Sequence, residues 1–222
     1  MMPNFADLRR TMVDGQIRTG GVTDLRLLAA LLDVPRERFV PHGRIDLAYL
    51  DRDIVVTAPG RPVRKLMKTM VLAKLLEALD LSESDRVLDI GCATGYSAAV
   101  IGRLAGAVTA LEEDPDLVQA AKRALSEVTA GNVSVVSGPL KAGWPAGGPY
   151  DVIILDGATE VVPQQLHAQL KPGGRLACVL QQGPAGKAML FRSLEGELSG
   201  RPIFDAAAPL LPGFQHVPEF VF

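Results

Sequence analysis

Apolar residues along the chain follow two different periods. Between residues 5 and 40 they recur at helical spacing: Leu8, Met12 and Ile17 precede a break at Gly20-Gly21. Leu25, Leu27, Leu28, Leu31 and Leu32 follow Thr23-Asp24, a pair suited to capping a helix, and this second run stops before Pro35. Beyond residue 86 the pattern changes to short apolar runs at 87–90, 108–112, 132–136, 152–155 and 175–180. Helical stretches separate them: Ser97 to Ile101, then a helix opened by Asp114-Pro115 with Leu117, Val118, Ala121, Ala124 and Leu125 on one face. Residues 161–170 read as a further helix, 143–149 as a loop and 171–174 as a turn. Strand and helix in alternation predict an α/β fold on a parallel sheet, with the wholly apolar run 152–155 at its centre. After Gly183-Pro184 the signal weakens, and 218–222 reads as a last edge strand.

One stretch organises the rest. Val87-Leu88-Asp89-Ile90 runs into Gly91-Cys92-Ala93-Thr94-Gly95-Tyr96 and then into the helical Ser97. A strand, a glycine turn and a helix N-terminus together bring bare backbone N–H groups up to a ligand. The turn lacks two of the three glycines of a dinucleotide fingerprint, and no P-loop lysine follows it. Glu112 ends the next strand, 21 residues beyond Gly91, where a ribose-binding carboxylate falls in such a unit. A ribose diol without a pyrophosphate to cradle fits S-adenosylmethionine better than NAD.

Composition adds bounds. The chain has 222 residues, 48% hydrophobic, with a formal net charge of −2, which describes a globular domain and gives no electrostatic case for nucleic acid. Cys92 and Cys178 make no disulfide framework, which points to a reducing compartment, the cytoplasm. No apolar run reaches membrane length, and no His/Cys/Asp/Glu spacing suggests a metal. Arg61, Arg64, Lys65 and Lys68 form a basic cluster that suits either a solvated helix face or a substrate patch.

Several segments, in order along nearly the whole chain, resemble the protein-L-isoaspartate O-methyltransferase family. They are Val34-Pro35-Arg36-Glu37 with Phe39-Val40-Pro41, Ala48-Tyr49 with Asp51, the glycine stretch, Pro149-Tyr150-Asp151-Val152-Ile153-Ile154 with Asp156-Gly157-Ala158, and Gln169-Leu170 with Pro172-Gly173-Gly174-Arg175-Leu176. The resemblance implies a Rossmann-like S-adenosylmethionine-dependent methyltransferase fold with an N-terminal helical extension. Residues 1–80 would form a lid and substrate region and 81–222 the cofactor core of one domain. It implies methyl transfer to a carboxylate of isoaspartyl residues in damaged protein, a repair activity with S-adenosylhomocysteine as product. The partner is then a protein or peptide. The cofactor residues carried over are Asp89, Gly91, Cys92, Ala93, Thr94, Gly95, Tyr96, Glu112, Gly138 and Asp156.

Two positions depart from the family's pattern. Its Thr-Ile-Ser-x-Pro segment, whose hydroxyls sit by the reacting carboxylate, falls on Lys65-Leu66-Met67-Lys68-Thr69. Met67 stands at the serine position, with Lys65 and Thr69 as candidates to compensate; were the segment helical, Thr69 would point away from the place Met67 faces. Its Gly-Asp-Gly, whose aspartate holds the adenine amino group, appears as Gly138-Pro139-Leu140. The alternative reading is a diverged member that binds the cofactor but is inactive on isoaspartate, taking another substrate or serving as a binding module.

Overall fold

The computed structural model describes residues 4–128, 131–182, 185–194 and 196–216. The N-terminal part holds α1 (Phe5–Met12), a wider helical turn at Val13–Ile17 and α2 (Leu25–Asp33). Asn4 caps α1 by accepting from Ala6 N–H, and Asp24 caps α2 by accepting from Arg26 and Leu27. A short antiparallel pair follows, β1 (Ile54–Val55) with β2 (Lys65–Leu66), and then α3 (Thr69–Leu79). Met12, Ile17, Leu27, Leu28 and Leu31 lie in the same hydrophobic cluster as Val71, Leu72, Leu75 and Leu79 of α3. Each such side chain gains about 1.5–3 kcal/mol on burial, which holds the N-terminal helices onto the sheet layer.

The main sheet comprises β3 (Arg86–Ile90), β4 (Ala107–Glu112), β5 (Val133–Ser137), β6 (Tyr150–Thr159), β7 (Leu170–Gln182), β8 (Ala185–Leu194) and β9 (Glu197–Asp205). Its order is β5-β4-β3-β6-β7-β8-β9. α4 (Tyr96–Ile101) links β3 to β4, and α5 (Pro115–Val128) links β4 to β5. The first five strands are parallel; β8 and β9 run antiparallel. The chain leaves β5 at one edge and returns at β6 on the far side of β3. The winding therefore reverses at β3, and a crevice outside the carboxyl ends of strands at such a switch point is where ligands bind.

Three expectations are corrected. Residues 161–170 form no α-helix; Pro163 removes a backbone donor, and only a 3-10 turn at Gln164–Gln169 follows before β7 begins. The turn at 171–174 lies inside β7: Tyr150 pairs with Leu170 but Val152 with Arg175, so the Pro172-Gly173-Gly174 run loops out of the ladder. The weak signal after Gly183-Pro184 conceals two long strands, β8 and β9. β9 is a mostly exposed edge strand carrying Gly200 and Pro202, and the apolar alternation that marks a half-buried strand is lost there. The strand expected at 218–222 lies outside the described residues.

Candidate active site

β3 delivers Asp89 and Ile90 to the carboxyl end of the sheet, where the chain turns. Gly91 N–H donates to the Leu111 carbonyl at 2.8 Å and Gly95 N–H to the Cys92 carbonyl at 2.7 Å. Gly91 and Gly95 take φ of +82° and +95°, left-handed values natural to glycine, and Ala93 at +50° joins them. Gly95 then serves as the N-cap of α4. Ser97 Oγ, in the first turn of α4, donates to Asp89 Oδ2 at 2.6 Å and fixes that carboxylate beneath the turn. Thr94 Oγ1 donates to the Phe39 carbonyl at 2.6 Å, tying the turn to the N-terminal part.

Glu112, at the end of β4, is completely buried. Its Oε1 accepts from Glu113 N–H at 2.9 Å and Asp114 N–H at 3.2 Å. Its Oε2 accepts from Ala93 N–H at 2.9 Å and from Arg64 Nη2 at 2.7 Å. Arg64 Nη2 also reaches the Gly91 carbonyl at 3.3 Å. The basic cluster is therefore not one solvated helix face: Arg64 is buried beside the turn, and Arg61 pairs with Asp114 and Asp116. Among the described residues the side chains of Lys65 and Lys68 form no ion pair.

A second part of the chain also reaches this place. Ala158 N–H donates to the Pro209 carbonyl at 2.7 Å and Leu211 N–H to the Ala158 carbonyl at 2.9 Å. Leu211 Cδ2 lies 2.7 Å from where a Cβ on Gly91 would stand, and its Cγ is equally close to one on Gly157. Asp156, between these segments, is buried with Oδ1 unpartnered, as is Asp89 Oδ1. Burial pushes both carboxyls up, Asp156 to about 6, and the mutual repulsion of nearby acids adds to the rise at Asp89. Burial likewise raises the Cys92 thiol well above its ordinary range, so Cys92 lines the turn without being a nucleophile.

At the turn after β5, Gly138 packs under Trp144, whose Cζ3 would be 3.3 Å from a Cβ there. Pro139 offers no donor, and the Leu140 N–H donates to Glu113 Oε2 at 3.4 Å. The segment 65–69 is not one helix. Lys65-Leu66 is strand, Lys68 caps α3 with its N–H on Asp53 Oδ1, and Thr69 is the first helical residue. The structure thus gathers Asp89, Gly91, Cys92, Ala93, Thr94, Gly95, Tyr96, Glu112 and Asp156 around one turn, with Gly138 at the neighbouring loop. Leu211 is the residue sequence reasoning missed; Arg64 is singled out there only as one of a basic cluster and Arg36 only as part of a family segment, and neither is given its place beside the turn. Arg36 and Arg64 sit in runs of charge, which give no sign of burial, and Leu211 sits in a run without periodicity.

A family model described as protein-L-isoaspartate(D-aspartate) O-methyltransferase matches residues 8–202. A protein-L-isoaspartate O-methyltransferase of Rhodopseudomonas palustris is 44% identical over 165 residues, 74% of each chain. One from Anaeromyxobacter is 40% identical over 183 residues, 82% of this chain and 73% of that one. A solved protein-L-isoaspartate O-methyltransferase superposes with a TM-score of 0.82 at 28% identity, over 92% of this chain and 66% of that one. A Plasmodium falciparum structure assigned to the same activity, in complex with S-adenosyl-L-homocysteine, shares the fold at 16% identity, with a TM-score of 0.78 over 95% and 99% of the two chains.

Proposed function

The chain belongs to the protein-L-isoaspartate(D-aspartate) O-methyltransferase family, and from that premise we propose how its residues carry out the reaction. It is an S-adenosylmethionine-dependent methyltransferase acting on isoaspartyl residues of protein. When bound, the cofactor supplies an electrophilic methyl group on a sulfonium. The residues present fit such a group. Gly91 and Gly95 put no side chain of their own at the switch point, where Leu211 and Leu125 now face them, and the unpartnered Oδ1 atoms of Asp89 and Asp156 can accept from an ammonium at the methionine end. Glu112 would take the ribose hydroxyls, which requires Arg64 to release Oε2 and Leu211 to withdraw from Gly91. Both are side-chain motions.

A carboxylate acceptor has a pKa of about 4 and is ionised at neutral pH, so the chain need not supply a general base. Its residues have to align the carboxylate with the methyl carbon and keep water out, and such positioning is worth about 7–11 kcal/mol of the barrier. The observation that carries this reading is the Gly91–Gly95 turn with its Ala93 N–H on Glu112. No observation of this chain favours a non-catalytic binding module over an enzyme. We read residues 1–80 as the lid and substrate region of one domain and place the protein in the cytoplasm. The unpaired, buried Cys92 and Cys178 support that placement. Among the described residues no helix is long and apolar enough to cross a membrane. Transfer of labelled methyl to an isoaspartyl peptide, with an aspartyl peptide as control, tests the activity; no transfer by protein that binds S-adenosylhomocysteine would overturn it.

A further inference from the structure

Buried polar groups without partners gather beside the turn, on the side of Met67. Arg36 is fully buried, with Cζ 4.4 Å from the centre of the Tyr96 ring and Nη2 donating to the Met67 carbonyl at 2.9 Å. Its Nε and Nη1 make no hydrogen bond, and neither do the buried Tyr96 hydroxyl and Thr69 Oγ1. Burial raises the Tyr96 phenol, and Arg36 and the Thr69 hydroxyl pull it back as neighbours within hydrogen-bonding reach, which places the three side chains together without a well-formed bond closed between them. Asp156 is the anion whose field reaches Arg36, yet it closes no hydrogen bond on it.

A fold that used these groups only for packing would do better with phenylalanine and valine, because a buried donor without a partner costs free energy that its apolar counterpart avoids. An arginine fork with two free N–H groups and two hydroxyls, by contrast, matches the several acceptor sites of a carboxylate. Met67, whose carbonyl holds Arg36, offers only a weak acceptor itself, and its unbranched side chain can swing aside without a backbone change. Thr69 opens α3 rather than continuing a helix from Met67, which removes the geometric objection to its taking part.

We propose that Arg36, Tyr96 and Thr69 are positioning residues that receive the acceptor carboxylate of the isoaspartyl residue. This rests on the reading of the chain as an isoaspartyl methyltransferase. Arg36 supplies the charge and a planar fork; Tyr96 and Thr69 each donate one hydroxyl hydrogen and fix the orientation of the carboxylate toward the methyl group.

Tyr96→Phe and Thr69→Val test it, because each deletes one buried hydroxyl that closes no well-formed hydrogen bond and keeps the rest of the side chain. Steady-state kinetics with an isoaspartyl peptide are measured beside fluorescence anisotropy of the same labelled peptide with S-adenosylhomocysteine present. The expected result is a rise of about tenfold in peptide KM and Kd for each variant, larger than any change in the KM for S-adenosylmethionine. Unchanged peptide KM and Kd in both variants, beside active wild type, overturn this inference and leave the activity standing. A rise in cofactor KM instead of peptide KM assigns the hydroxyls to the cofactor and overturns it as well. Wild type that binds cofactor but neither binds nor methylates the peptide overturns the activity and the inference together.

Discussion

Arg64 Nη2 lies 2.7 Å from Glu112 Oε2, and this ion pair occupies the carboxylate on which a ribose would hang. With Ala93, Glu113 and Asp114 also donating, the buried Glu112 carries four hydrogen bonds and has little acceptor capacity left. The pair belongs to the unliganded protein, and ligand must exchange for it. Removing one partner of a buried pair costs about 3–5 kcal/mol because the other charge is stranded. Arg64→Met should therefore lower the melting temperature markedly without ligand, and S-adenosylhomocysteine should raise it by more than it raises wild type. An equal ligand-induced shift in both proteins would show that Arg64 does not compete.

Glu112 gives the reciprocal prediction. Losing a charge-assisted hydrogen bond costs on the order of 1.5–3 kcal/mol, so Glu112→Ala should weaken cofactor binding roughly ten- to a hundredfold. Titration calorimetry measures this directly, and equal affinity in wild type and variant would remove the ribose assignment.

The parts of the site legible in the sequence are those built from neighbours. β3, the glycine turn and α4 are one continuous stretch, so apolar run, glycines and resumed helical spacing all lie within a dozen residues. Glu112 could be placed because one βα unit has a nearly fixed length. Arg64 meets Glu112 across 48 positions, and a contact of that range leaves no local trace. Arg36 has the same difficulty in sharper form. In Pro35-Arg36-Glu37-Arg38 it looks like a solvated turn, yet Glu37 pairs with Arg9, Arg38 with Glu127, and Arg36 alone of the two arginines points into the core. β9 was illegible for another reason: the edge of a sheet buries little, so the apolar alternation that betrays a strand fades. β8 lies inside the sheet and alternates in burial, but its buried positions include Gly186, Ala188 and Ser193, which carry little hydrophobic signal.

Pro139 opens the turn at Leu140–Ala142 without a side-chain cap. An aspartate there would accept from the turn's N–H groups, now served by Glu113 at 3.4 Å, and would offer an acceptor to an adenine amino group. Pro139→Asp should tighten S-adenosylhomocysteine about tenfold by calorimetry. Unaltered affinity would mean that a backbone carbonyl or a water already makes the contact.

Asp156 makes stability depend on pH in an unusual direction. Burial is the largest cause of its rise to about 6; Ser97, Arg36 and Arg64 pull the other way, and Glu112 adds to the rise. A carboxyl whose pKa is higher folded than unfolded holds its proton more tightly in the folded state. Its contribution is therefore present at low pH and lost as pH climbs from about 4 through 6, the reverse of an ion-paired acid. A shift from 3.8 to about 6 corresponds to something on the order of 3 kcal/mol. At Asp151 burial is the largest single effect and raises the carboxyl, but Lys171 and the Arg86 N–H together outweigh it and hold the group below its usual range, so it works oppositely and at lower pH. The difference between two proteins reports Asp156 together with the relief of its repulsion on Asp89, and both act in the same direction: urea unfolding of wild type and Asp156→Asn at pH 4.5, 5.5 and 7 should show the variant gaining on wild type as pH rises. Cofactor affinity should fall in the same variant, because the amide takes away the negative charge that we propose faces the methionine end. A constant stability difference across that range would mean that Asp156 titrates as an ordinary exposed acid.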